Sequence, residues 1–243
     1  MLRIVSVDLA IRPASNGICL VEKATVTFPS LSLEVTTALK EYQRHWQDTV
    51  DGGNLAAEDA ASAMADFLAA FHAQIIVIDG PQGFARSGRR MRRSEAILRT
   101  SGRTGDNFEI PLSGFSWPGI ARLGIKLFNR LSTKGYARLG RPSIPDQKAA
   151  VEVFPDSCWH SFGLDAETLG DLQRLNIGVG LAWSGRPNEH QLDAAAGALA
   201  VLATKQGQGV FVGHPFFMEG EVPREGYIII PNPGRSWWET DAG

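Results

Sequence analysis

The run Ile75-Ile76-Val77-Ile78 does most to limit what this chain can fold into. Four consecutive β-branched residues leave no polar face on the strand they form. Such a strand belongs inside a sheet that is covered on both sides. The run stops at Asp79-Gly80-Pro81, where proline ends the ladder and leaves a carboxylate at the strand's end. Helices on both faces are the usual cover, so the first expectation is an α/β protein. With 243 residues and 44% apolar content the chain can build one such core, and disorder or a fibre repeat is excluded.

The flanking patterns agree. Leu2 to Val7 is a partly alternating strand that ends at Asp8. Asn16-Gly17 marks a turn into a second strand over 18–21, and Thr25 to Phe28 reads as a third, with Pro29 at its end. Three strands in close order predict an antiparallel meander. Met64, Phe67, Leu68 and Phe71 fall at helical spacing within a helix over 55–72, with Asn54 as its N-cap. A short helix is expected over 94–99. Five glycines and prolines between Gly102 and Pro118 predict a long loop. Ile120, Leu123, Leu127 and Leu131 then mark one face of a helix. Ala149 to Phe154 is a further strand, stopped by Pro155. A last helix runs from Asn188 to about Lys205, opened by an Asn188–Gln191 capping box. Val210 to Val212 and Tyr227 to Ile230 are late strands joined by a long loop. The expected fold is a mixed sheet, three antiparallel strands then parallel ones, with helices on both faces. It reads as a single domain over 1–243, with a basic, largely helical insert at about 82–148 and a C-terminal strand pair at about 209–231.

The net charge of −2 conceals an uneven distribution. Residues 86–148 hold 14 of the 24 basic residues against Glu95, Asp106, Glu109 and Asp146, so this segment is +10 and the remainder −12. Arg86, Arg89, Arg90, Arg92, Arg93, Arg99 and Arg103 begin just past Asp79. The guanidinium fork suits phosphate, which makes Arg86, Arg89, Arg90, Arg92 and Arg93 candidates for a nucleic-acid backbone, whether DNA or RNA. The plainer reading is a solvated helix face or pairing with acids elsewhere. Arg122, Lys126, Arg130 and Lys134 form a weaker stripe, since any amphipathic helix needs a polar face.

Four acids sit at strand ends or near a helix start: Asp8, Asp79, Glu152 and Asp193. A charge inside Ala-Val-Glu-Val-Phe is costly to bury unless it is paired or binds a cation. Carboxylates gathered from several elements repel one another, and magnesium or manganese relieves this through oxygen ligands. Taken singly, Asp79 reads as a turn residue, Asp8 as a loop cap, Glu152 as an outward or arginine-paired side chain, and Asp193 as a complement to the helix dipole. His190, Asp193 and Gly197 share one side of the last helix, and the small residues Ala194, Ala196, Gly197 and Ala200 let that helix approach the sheet. That would carry Asp193 towards Asp8 and leave His190 to orient a water or touch phosphate. A surface histidine is the plainer reading.

Other chemistries find less support. GxxxxGK[ST], GxSxG and HExxH are absent, and Gly178-Val179-Gly180 lacks the third glycine of a dinucleotide loop. Cys19 and Cys158 give neither a disulfide framework nor a CxxC, and nothing nearby orients His160 as a base for Cys158. Trp237-Trp238 could stack on bases or pack the tail against the body. No apolar run approaches 18 residues, and Met1-Leu2-Arg3-Ile4 has no leader-like apolar region. The expectation is a soluble, reduced, cytoplasmic protein with no membrane contact.

Five segments carry a resemblance that spans nearly the whole chain: Val7-Asp8-Leu9-Ala10, Ile78-Asp79-Gly80-Pro81, Glu152-Val153-Phe154-Pro155, the Asp193–Ala200 run, and Glu225-Gly226-Tyr227-Ile228-Ile229-Ile230-Pro231. In this order they resemble the family named domain of unknown function 429, whose members look like predicted nucleases of the ribonuclease H-like superfamily. The Asp-Ala-rich last helix is similar to that of Holliday-junction resolvases. Two departures stand out: Arg174 is the only basic residue between Asp165 and Leu175, where the family often has lysines, and the arginine run after Asp79 is heavier than the pattern requires. The resemblance implies a ribonuclease H-like mixed sheet and a metal-dependent nuclease, with Asp8, Asp79, Glu152 and Asp193 as ligands to magnesium or manganese, Asp8 bridging two ions, and His190 beside them. A non-catalytic nucleic-acid-binding protein on the same fold is the rival. Phosphotransfer, as in actin-like kinases, ranks last because the glycine-rich phosphate loops are missing.

Overall fold

The apolar run becomes β4 (Ile75–Asp79), an interior strand of an eight-stranded mixed sheet. The computed structural model describes residues 2–47, 52–100, 102–107, 117–164 and 167–232. The other strands are β1 (Arg3–Asp8), β2 (Gly17–Glu22), β3 (Thr25–Thr27), β5 (Ala149–Val153), β6 (Ala182–Trp183), β7 (Gly209–Glu219) and β8 (Val222–Pro231). Their order across the sheet is β6-β3-β2-β1-β4-β5-β8-β7. β2 runs antiparallel to β1 and β3, whereas β4, β5 and β8 continue parallel to β1. β7 returns antiparallel beside β8 as one edge of the sheet. The expected long loop between these late strands is a tight turn at Gly220-Glu221, because both strands extend much further than their apolar centres. β7 also changes register between His214 and Phe217, around Pro215, which cannot donate to a ladder.

The helices are α1 (Leu33–His45), α2 (Gly52–Ala69), α3 (Arg93–Leu98), α4 (Trp117–Thr133), α5 (Pro155–Ser161), α6 (Leu169–Arg174) and α7 (Glu189–Lys205). Two cores result, one on each face. Ile4, Val77, Val151, Val153 and Ile229 pack against the alanine-rich α7. Val5, Val7, Ile76, Ile78 and Ala150 pack towards α1, α2 and α4. Several helices differ from the sequence expectation. α1 is capped by Ser32 and buries Val35, Leu39 and Tyr42 at helical spacing. α2 begins at Gly52, so Asn54 lies in its first turn rather than at its cap. Pro155 does not simply end β5; it opens α5 as the first helical residue, where its missing N–H does no harm. The loop expected at 102–118 is described only at its ends, and Trp237 and Trp238 lie outside the described residues. No helix among the described residues is long and apolar enough to cross a membrane.

What positions the rest is the seating of α7. Asn188 accepts from the Gln191 backbone N–H at 2.9 Å, and Gln191 returns the bond, closing the capping box. The first turn of the helix then lies directly on β2. A Cβ added at Gly17 would sit 1.9 Å from the carbonyl oxygen of His190, and one added at Gly197 would sit 2.8 Å from Val153 Cγ2. Only glycine permits this approach. Gly17→Ala should therefore destabilise the protein by about 2 kcal/mol or more, read from urea unfolding. Gly140→Ala, where a new Cβ meets nothing within 4 Å, should stay within about 0.5 kcal/mol of the parent.

Candidate functional site

Strand parity decides which acids can meet. Along β1, Val5 and Val7 face α1, α2 and α4, so Ser6 and Asp8 face α7. The parallel register pairs Asp8 with Asp79, which puts two carboxyl groups side by side at the C-terminal ends of adjacent strands. From above, α7 adds His190 and Asp193, one turn apart. The ligand atoms of Asp8, His190 and Asp193 all lie within 4.8 Å of one another. His190 Nδ1 is 2.9 Å from Asp8 Oδ2. Trp159 on α5 donates its indole N–H to Asp193 Oδ1 at 2.7 Å. Asp79 shares a hydrogen bond with Asp8, and the nearby charge of Asp156, in the first turn of α5, acts on both Asp79 and Asp193.

This crowding moves the proton affinities. Burial, then the charge of Asp193, pushes the Asp8 carboxyl up to about 6, against the opposing pull of His190. Burial and then Asp8 hold Asp79 well above the ordinary carboxylate range. Asp193 is raised by burial despite the bond from Trp159. A group of half-desolvated acids with one imidazole is an oxygen-rich donor set, and its mutual repulsion is what a divalent cation would relieve.

Glu152 does not join them. Its register neighbour is Ile78, so it points to the face opposite Asp8 and Asp79. There it is 2% exposed and gripped by both guanidinium nitrogens of Arg92, at 2.7 and 2.6 Å, while the Gln82 backbone N–H donates to it at 3.1 Å. Arg92 also donates through Nε to Glu95 at 2.9 Å. Burial disfavours the Arg92 charge, but Glu152 and Glu95 outweigh it and keep the guanidinium firmly protonated. Arg92 is therefore a buried counter-ion, unavailable to phosphate, rather than the nucleic-acid contact expected from its place in the run.

The neighbouring arginines behave differently. Arg86, Arg89, Arg90 and Arg93 are exposed and line a cleft of about 640 Å³ with His214 and Glu225. Arg86 lies 3.8 Å from Glu225 and over the ring of Phe217. Among the described residues, Arg89, Arg90 and Arg93 have no ion-pair partner. Glu225 is buried at a left-handed φ of 54° and accepts from the Arg93 backbone N–H at 3.1 Å. The cysteines take no part: Cys19 and Cys158 are free and buried, and burial pushes both thiols up.

Sequence reasoning missed Asp156 and Trp159. The signal for both was Pro155. Proline at the first position of a helix directly after a strand places an acid at the next position on the sheet's C-terminal rim. An indole four residues on then returns to the same rim.

Two outcomes test these assignments. The Asp8 proton is held more tightly in the folded than in the unfolded chain. The resulting stabilisation is complete below pH 4 and is lost as pH rises through about 6. Metal-free Asp8→Asn should therefore be more stable than the parent by about 2–3 kcal/mol at pH 7, with the difference gone at pH 4, in denaturant titrations. Arg92→Ala should lose about 3–5 kcal/mol, because it strands two buried carboxylates, whereas Arg90→Ala should change stability by less than about 0.5 kcal/mol. In comparisons with known proteins, the chain matches no protein-family model, no curated protein and no solved structure.

Proposed function

We propose that this protein is a metal-dependent nuclease, hydrolysing phosphodiester bonds of nucleic acid on a ribonuclease H-like sheet, and that it belongs with the domain of unknown function 429 family. The observation that carries the reading is the convergence of Asp8, His190 and Asp193 within 4.8 Å, with Asp79 beside Asp8 in register. The order β3-β2-β1-β4-β5, with only β2 antiparallel to its neighbours, supports the fold assignment. Asp8, Asp79 and Asp193 would hold magnesium or manganese. When bound, divalent ions supply Lewis acidity and lower the pKa of an attacking water.

The chain's own groups do the rest. Trp159 fixes the carboxylate of Asp193 in one orientation. Asp8 holds His190 through Nδ1, so the other ring nitrogen is directed to the rim near Glu189, where it can carry a proton to or from substrate oxygen. Arg89, Arg90 and Arg93 draw in phosphate without reading sequence. Glu152 has no ligand role; with Arg92 it anchors the segment that presents those arginines.

A non-catalytic nucleic-acid-binding protein is the second reading. It is favoured by the partners that Asp8 and Asp193 already have in His190 and Trp159. Purified protein with magnesium or manganese should cleave at least one of labelled single-stranded, duplex, hybrid or branched substrates. A chelator should abolish cleavage, and Asp8→Asn should lower its rate by at least about 100-fold. No turnover on any substrate, or turnover indifferent to Asp8→Asn, would sink the proposal. Salt-sensitive binding that survives Asp8→Asn without turnover is the mark of the second reading.

A further inference from the structure

Just past Asp8 the chain forms a second cavity that the acid cluster does not use. It has a volume of about 480 Å³ and opens beside Ala10, two residues from Asp8. Its apolar wall is Trp46, Ile11 and Ile120. Its polar margin is Arg12, Gln43 and Gln47. Among the described residues the side chains of these three are exposed and make no hydrogen bond or ion pair within the protein, and the half-buried Trp46 indole N–H has no protein partner either. A small apolar wall with solvent-facing amides and a guanidinium at its margin, all free to turn onto a ligand, has the make-up of a ligand site rather than of a packing defect.

The wall is held in place. Gly119 lets α4 approach so closely that an added Cβ would lie 2.4 Å from Ile11 Cδ1 and 3.0 Å from Trp46 Cε3. Tyr42 donates to the Gly119 carbonyl at 2.7 Å, and Arg122 donates to the Trp46 carbonyl at 3.3 Å. Asn16 bonds to both the N–H and the carbonyl of Ala10, at 3.1 and 2.9 Å, and so fixes the rim.

We infer that this cavity takes a nucleobase of a single-stranded or unstacked substrate, with the base against Trp46, its edge met by Gln43 and Gln47, and Arg12 on the adjoining phosphate. The chemistry matches on each side. Indole offers a flat, sequence-tolerant surface for any base, and primary amides both donate and accept along a base edge. Two residues of chain span at most about 7 Å, so the Ala10 end of the rim lies within about 7 Å of the Asp8 backbone, while the wall of Ile11, Trp46 and Ile120 continues the core on the face away from α7. This inference rests on the nucleic-acid reading above and adds to it a preference for bases that are not paired.

The test measures binding of a fluorescein-labelled single-stranded octanucleotide, as DNA and as RNA, by anisotropy in the presence of chelator. A second probe is the abasic octamer, with the same sugar–phosphate chain and no bases. Trp46→Ala should weaken octamer binding by at least about fivefold, and Trp46→Phe by no more than about twofold. The abasic octamer should bind the parent and Trp46→Ala equally weakly. Equal affinity of the parent for both probes, no binding of the octamer by the parent, or parental affinity in Trp46→Ala would overturn the inference. The comparison of probes on the parent protein needs no variant, so equal affinity overturns the inference even if Trp46→Ala fails to fold. The double variant Gln43→Ala with Gln47→Ala, both at exposed positions, then locates a base preference. It should weaken octamer binding and leave abasic binding unchanged, and parental octamer affinity in it would overturn the inference too. Asp8-dependent cleavage that ignores Trp46→Ala would remove the base site and leave the nuclease. Base-dependent binding without cleavage would do the reverse.

Discussion

The closeness of α7 to the sheet is the constraint on which the rest depends. With Gly17 and Gly197 at the contact and alanines between, the helix rests almost on backbone. Its first turn is consequently above the ends of β1 and β4, and nothing larger than glycine at either point would leave room. Side-chain alternation then does the sorting. In one register, every second residue of β1 and β4 meets α7, and the last such residue of each strand is an aspartate. The acid cluster is thus a product of helix seating and strand parity together. Neither would assemble it alone.

Beneath the other face lies a second charged arrangement with a different physical character. Arg92, Glu152 and Glu95 are all nearly fully buried and satisfy one another by well-formed hydrogen bonds. Such a triad is a weak source of net stability, because desolvation offsets most of the attraction. Its effect is geometric: it ties the turn after β4 to β5, and with it the exposed arginines that follow. The same segment is held from β8 by Glu225, whose left-handed backbone next to Gly226 at φ 125° brings its carboxylate to the Arg93 N–H. A loop rich in like charges would otherwise have little reason to keep one conformation.

Much of the sheet was legible from local patterns. β1, β2, β4, β5 and α7 follow from β-branched runs, an Asn-Gly turn and a capping box, each of which acts over a few residues. α1 was not read: Val35, Thr36 and Thr37 weaken its helical propensity, and its buried stripe is only three residues long. The candidate site was legible in part. Asp8, Asp79 and Asp193 stand out as acids at element ends. Glu152 looked equivalent to them because all five residues of β5 are buried, and a strand without alternation does not reveal which face each side chain takes. Parity becomes visible only once Ile78 and Glu152 are known to be register partners. Arg92 misled for a related reason. Composition gives its charge but not its depth, and in a run of arginines the buried one is indistinguishable by sequence from its neighbours.

The irregularity in β7 has a consequence for how the sheet meets other chains. An eight-stranded sheet ordinarily exposes two rows of free N–H and C=O groups, and these invite a foreign strand. Here one border is β6, only two residues long. The other is the eleven-residue β7, but Gly213 at φ 109°, Pro215 and the shifted register interrupt its outer row midway. An approaching strand would find matching donors for a few residues and then a bend. His214, where the register begins to shift, also lines the arginine cleft, so one local irregularity both interrupts the border and contributes to a surface.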